Sequence, residues 1–172
     1  ERLTEGRRLA AYLVTEPGAG SDVASLRTTA RREGAGWRLD GTKVFATNGG
    51  VADICLIFCR TDPAAGHRGI SVVVAERGVP GFVVGDLEDL CGMRANPVCS
   101  IRLNDCRVPQ KNLLTREGMG LKIGLAALDT GRMGIGAQAV GIAQAGLEAA
   151  LDYAKSRKQF GSPIVDFQGI QW

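Results

Sequence analysis

The residues best suited to chemistry in this chain are Tyr12-Leu13-Val14-Thr15-Glu16-Pro17-Gly18-Ala19-Gly20-Ser21-Asp22. An apolar strand from Leu9 to Val14 runs into a rigid Glu16-Pro17 step, then two glycines one residue apart, then Ser21 and Asp22. Glycines at this spacing permit positive φ and let backbone N–H groups approach a ligand that a Cβ would keep away. The hydroxyls of Thr15 and Ser21 add orientable donors at either end. The competing reading is a plain surface turn between two strands, which short Gly-x-Gly motifs often are.

Other chemistries lack parts. With one histidine, His67 in a Gly-flanked loop, the chain has too few ligands for a zinc site and no His-dependent triad. His67 is expected to be exposed and silent. None of the five cysteines forms a Cys-x-x-Cys pair; Cys55 and Cys59 share one strand face and read as buried, reduced thiols. A formal charge of +3, with Arg7-Arg8 and Arg31-Arg32 as the only notable basic pairs, argues against a nucleic-acid surface. No apolar run has membrane-spanning length, and Glu1-Arg2-Leu3-Thr4 does not open a secretion signal.

The elements that must carry the loop divide in two. From Leu9 to about Val108 short apolar strands alternate with turn residues, roughly seven in all, which predicts an antiparallel β-barrel or sandwich. Ile54 to Cys59 and Ile70 to Ala75 read as strands buried on both faces. Asp40-Gly41 reads as a two-residue hairpin turn, and Thr61 to Gly69 as the longest excursion. Near Glu117 the apolar period shifts to three and four residues through Leu121, Leu125, Leu128, Leu147 and Leu151, predicting one long helix. Phe160-Gly161-Ser162-Pro163 is its expected stop, and a second helix begins near Asp166. The interior glycines of the long helix (124, 131, 134, 136, 141, 146) imply close helix–helix contacts, as in an incomplete helical bundle. Gly134-Ile135-Gly136-Ala137-Gln138-Ala139 mimics a dinucleotide fingerprint but lies mid-helix with no strand before it, so it is discounted. The chain reads as an α+β fold, with a β-domain over residues 1–116 and the start of a helical domain over 117–172.

The eleven-residue loop closely resembles the flavin-binding loop of the acyl-CoA dehydrogenase family. Thr42-Lys43-Val44-Phe45-Ala46-Thr47-Asn48-Gly49-Gly50 is similar to that family's flavin-facing strand, with Phe45 where Trp is usual. Gly92-Met93-Arg94, Asn104-Asp105-Cys106-Arg107-Val108-Pro109, Leu128-Asp129-Thr130-Gly131-Arg132 and Arg157-Lys158-Gln159-Phe160-Gly161 resemble later family motifs in the same order.

The resemblance implies FAD-dependent oxidation of an acyl-CoA thioester to the trans-2-enoyl-CoA. It implies flavin contacts for Tyr12, Val14, Thr15, Gly20, Ser21, Phe45, Ala46 and Thr47, with Thr47 near flavin N5. It also implies contacts from Arg157, Gln159, Phe160 and Gln168, the first three to a neighbouring subunit's flavin, hence a homodimer or homotetramer. Ser21, Asp129 and Arg132 would meet acyl-CoA. An electron-transfer flavoprotein is the implied acceptor, and the cytoplasm or mitochondrial matrix the implied compartment. The family's base is a Glu expected downstream of Trp172; its alternative position is Gly131 here, so no acid of this chain occupies either. Family members also begin with a helical domain not represented in these residues, so the chain reads as the middle of an enzyme, inactive alone. A non-catalytic FAD- or CoA-binding module that retains only the cradle is the alternative.

Overall fold

The structure, a computed structural model, describes residues 3–172. Alternation and apolar runs build strands β1 (Ala10–Leu13), β2 (Thr29–Glu33), β3 (Gly36–Thr47), β4 (Ile54–Arg60), β5 (Ile70–Glu76), β6 (Phe82–Leu87) and β7 (Val98–Pro109). They form one seven-stranded sheet in the order β1-β4-β2-β3-β7-β6, with β5 paired to β4. Most pairings are antiparallel, as the turn-punctuated sequence implies. Two are not: β1 runs parallel to β4, and β2 meets β4 in parallel at Thr29 and Arg60. The result is a mixed, half-barrel sheet followed by a long helix. Strand patterning could not reveal parallel neighbours, because pairing partners distant in sequence leave no turn signal between them.

The two expected doubly buried strands are so. Cys55, Ile57, Phe58 and Cys59 of β4 and Ile70, Val72 and Val73 of β5 have no exposure. They divide the core into two clusters. One lies with Trp37, Leu39, Cys99, Ile101 and Cys106; the other gathers Ala19, Leu26, Phe58, Ile70 and Val72, with Tyr12 and Val14 packed against it.

Asp40-Gly41 is not a hairpin turn. β3 passes straight through it, and the hairpin lies earlier, where Gly34 (φ 57°) and Ala35 join β2 to β3. At Gly41 the β3–β7 register slips instead, with the extra residue on β7 where Asp105 has φ 51°. A Cβ on Gly41 would lie 2.4 Å from Thr28 Oγ1, so the glycine serves close packing inside a bulged strand.

The chain forms two compact units, one ending at Leu125 and the other covering Ala126–Trp172. Helix α1 (Gly120–Ser156) starts in the first and contributes most of the second. It ends at Ser156, before the expected stop. Phe160 (φ 51°) and Gly161 (φ 82°) instead form the tight turn joining β8 (Lys158–Gln159) to β9 (Ser162–Pro163), the left-handed pair that such hairpins require. Helix α2 (Gln168–Gln171) follows. Of the interior glycines, Gly124 is in tight contact, its Cβ position lying 2.8 Å from Tyr12 Oη and 2.9 Å from Phe58. Around Gly131, Gly134, Gly136, Gly141 and Gly146 no described atom beyond the helix's own backbone lies within 4 Å of that position.

Candidate functional site

The loop after β1 is organised from beneath by charge. Lys43 is fully buried, and its Nζ donates to Glu16 Oε1 at 2.8 Å and to the Val14 carbonyl at 3.2 Å. The Glu16 carboxylate, 7% exposed, also accepts from the backbone N–H groups of Arg27 (2.6 Å) and Thr28 (2.9 Å). Burial pushes the Glu16 carboxyl up, but the Lys43 ammonium and the backbone donors outweigh it and hold it below the ordinary carboxylate value. Burial holds the Lys43 ammonium below its usual value, with Glu16 opposing. Removing one member of such a pair leaves an uncompensated buried charge.

The loop is closed from above by backbone bonds. Glu16 and Ala19 exchange two hydrogen bonds, at 3.0 and 3.1 Å, across Pro17-Gly18. Beyond Ser21, the Arg60 guanidinium donates to the carbonyls of Ala24 and Leu26, and to Gly66 in the Pro63–Gly69 turn. Gly18 and Gly20 do not adopt positive φ, contrary to the expectation from their spacing. A Cβ at either would meet no described atom within 4 Å. What the glycines leave clear is space over the loop backbone.

Beside the loop, β3 carries an extra residue relative to β7 between Lys43 and Ala46. Phe45 takes φ 53° there, and the Val44 N–H, released from the ladder, donates to the Thr15 carbonyl at 2.9 Å. A one-residue insertion reverses the faces of everything after it. Lys43 points inward, Phe45 is turned out at 63% exposure, Ala46 returns to the core at 1%, and Thr47 is exposed. Asn48 (φ 60°) ends the strand, its N–H bonded to the Pro97 carbonyl.

The expected site residues are placed as follows. Thr15, Phe45 and Thr47 are joined through the Val44 bond; Gly20 and Ser21 are exposed on the same closed loop. Ala46 offers only backbone, since its methyl is in the core. Tyr12 and Val14 also turn inward. The Tyr12 ring stacks obliquely on Phe58 at 4.6 Å, and its hydroxyl is buried with no partner among the described residues. In the second unit Asp129 and Arg132 are exposed on α1, three residues apart and so on one face. Arg157, Gln159, Phe160 and Gln168 cluster in sequence around the β8–β9 hairpin. Phe160 is 97% exposed at its tip, edge-on to Phe167. Sequence reasoning missed the Glu16–Lys43 pair. Its available signal was a lysine at the inward parity of Trp37 and Leu39.

The family model "Acyl-CoA dehydrogenase, middle domain" matches residues 11–106, and "Acyl-CoA dehydrogenase, C-terminal domain" matches residues 118–172. The chain belongs to the acyl-CoA dehydrogenase family. An acyl-CoA dehydrogenase of Bacillus subtilis is 47% identical over 99% of this chain and 45% of its own length. The acryloyl-CoA reductase (NADH) of Anaerotignum propionicum is 44% identical over 99% of this chain and 44% of its own. The solved butyryl-CoA dehydrogenase of Megasphaera elsdenii superposes with a TM-score of 0.91 at 43% identity, over 98% of this chain and 44% of that one. The chain thus spans less than half the length of these family members. Among the described residues no helix is long and apolar enough to cross a membrane.

Proposed function

We propose that the protein carrying this chain is a FAD-dependent enzyme that oxidises acyl-CoA thioesters to trans-2-enoyl-CoA. The observation that carries the reading is the loop and bulge joined by the Val44–Thr15 bond. It sets open backbone at Gly18 and Gly20, the exposed hydroxyls of Ser21 and Thr47 and the half-buried Thr15 beside an outward aromatic ring. Those features fit a flavin: uncovered backbone for its phosphates, hydroxyl donors for its polar edge, and a flat apolar face at Phe45.

When bound, the flavin supplies hydride acceptance from the substrate Cβ. The chain's own residues bind and orient. Thr47, displayed by the bulge, would donate toward N5; Gly20 and Ser21 would hold phosphate and thioester portions. Arg132, with its planar fork of donors, would meet the nucleotide of CoA beside Asp129. Arg157, Gln159, Phe160 and Gln168 would contact a flavin too, the first three that of a second subunit, and the nearly bare Phe160 ring fits such a role. An electron-transfer flavoprotein is the proposed acceptor, and the cytoplasm or mitochondrial matrix the proposed location.

The test is to purify the full-length protein, measure bound FAD, and follow dye reduction by butyryl-CoA and octanoyl-CoA. Stoichiometric flavin with turnover is the expected result; a flavin-free protein without turnover would refute the reading. A polypeptide limited to these 172 residues is expected to give no turnover, because the one family base position within it is Gly131, which has no acid.

A further inference from the structure

The buried charges under the loop have a geometry that exceeds what fold stability asks of them. Lys43 Nζ reaches the strand end at Val14 and the loop start at Glu16, and Glu16 in turn holds the loop's return at Arg27 and Thr28. Both limbs of the loop therefore hang from one pair of side chains. That pair lies immediately before the bulge, where Val44 takes up the Thr15 carbonyl and Phe45 and Thr47 are turned outward. The 320 Å³ depression over the pair is lined by Glu16 itself with Pro17, Gly18, Arg27, Gly41 and Thr42. Lys43 itself is fully buried, so the ammonium cannot touch a ligand.

We propose that Glu16 and Lys43 are positioning residues for the flavin cradle: the pair fixes the Gly18–Ser21 backbone against the Phe45–Thr47 bulge, and so sets flavin affinity and environment without contacting the flavin. This rests on the FAD reading above. A pair that served stability alone would be replaceable by neutral groups of like size, since buried ion pairs are often no better for folding than such replacements. A positioning pair would not be, because the Lys43–Val14 bond and the full carboxylate acceptor set would be lost.

The experiment uses the full-length holoenzyme, with FAD as the probe. The double variant Glu16→Gln with Lys43→Met removes both charges, while the side-chain amide introduced at position 16 keeps one acceptor oxygen for the loop. Its FAD dissociation constant, visible flavin spectrum and flavin midpoint potential are compared with wild type, together with the apo-protein melting curve. The expected result is a near-normal melt with FAD bound about tenfold more weakly or more and a shifted flavin spectrum, a tenfold change being about 1.4 kcal/mol. Should the double variant not fold, Glu16→Asp keeps both charges but draws the carboxylate back by one methylene from the Arg27 and Thr28 N–H groups, and is expected to weaken FAD about fivefold with the same spectral shift. Wild-type affinity, spectrum and potential in whichever variant folds would overturn the proposal and leave the FAD reading intact. Failure of wild type itself to take up FAD would overturn both.

Discussion

The N–H of Val44 donates to the carbonyl of Thr15 at 2.9 Å, so the extra residue of a strand bulge is bonded to the Gly-rich loop. The bulge and the loop are therefore one device. The bulge frees a donor that the loop consumes, and the same insertion is why Thr47 faces outward although it lies four residues after the inward Lys43.

Deleting Val44 would remove the extra residue and its bond to Thr15 while leaving Ala46 opposite Cys99, so Ala46 stays inward and Thr47 outward in a regular ladder. In the full-length protein that deletion is expected to weaken FAD retention, because the loop loses its tie to the strand. Thr47→Val keeps the bulge and is expected to keep FAD while slowing flavin reduction about tenfold, the worth of one hydrogen bond of roughly 1–1.5 kcal/mol. Rapid-mixing measurement of flavin bleaching checks both; unchanged reduction in Thr47→Val would remove Thr47 from the flavin edge.

Gly124 and Gly134 should respond oppositely to alanine. A methyl on Gly124 meets Tyr12 Oη and Phe58 at 2.8 and 2.9 Å, and overpacking of about 1–3 kcal/mol should exceed the roughly 1 kcal/mol of helix propensity gained. At Gly134 no described atom beyond the helix's own backbone lies within 4 Å of the added carbon, so only the gain applies. Urea unfolding of the two variants in the 172-residue chain gives the comparison.

Tyr12→Phe deletes a buried hydroxyl that lacks a partner among the described residues. Removing an unsatisfied group of this kind is expected to be neutral or stabilising by about 1 kcal/mol, measured by the same denaturation. A clear loss of stability would mean the hydroxyl is bonded in solution.

Acid should loosen the loop before the sheet. The folded Glu16 carboxyl lies below its ordinary value of 4.5, so its contribution is complete above that pH and is lost as pH falls through the folded value. In Glu16→Gln this portion of the acid transition should vanish while the remainder persists. Tryptophan fluorescence and protease nicking within residues 15–28 across an acid titration separate the two.

Thiol chemistry should single out Cys91, which is exposed, whereas Cys55, Cys59, Cys99 and Cys106 are buried. Burial pushes Cys55 and Cys106 up to about 11 and Cys59 to about 12. A disulfide reagent under mildly alkaline conditions should therefore titrate one thiol in native protein and all five after unfolding. More than one fast thiol would contradict the packing of β4 and β7.

The loop was legible in the sequence because Glu-Pro, Gly-x-Gly and Ser-Asp carry local conformational and chemical signals. The long helix was legible from its period. Asp40-Gly41 misled because a hairpin and a bulge ask the same thing of glycine, and only the distant Asp105 and Thr28 distinguish them. Phe45, Ala46 and Thr47 could not be assigned faces from alternation, since an inserted residue shifts the phase without any marker of its own. The inward parity of Lys43 was a trace in the sequence, but charged side chains default to solvent, and nothing in the spacing named Glu16 as its partner.

The parallel pairing of β1 with β4 has a consequence for the order of assembly. The β2–β3 and β4–β5 antiparallel pairs close over short connections, whereas β1 waits for a strand that begins at Ile54. Its docking carries the larger loop-closure entropy and comes after the local pairs form. β1 is also an edge strand, of four residues. Amide protection should accordingly be weakest at Ala10–Leu13 within the sheet, and refolding probed by pulse labelling should show that strand protected last. The Gly-rich loop that β1 leads into is then the final part of the domain to form, so a nascent or partly unfolded chain would hold a finished core before that loop was set.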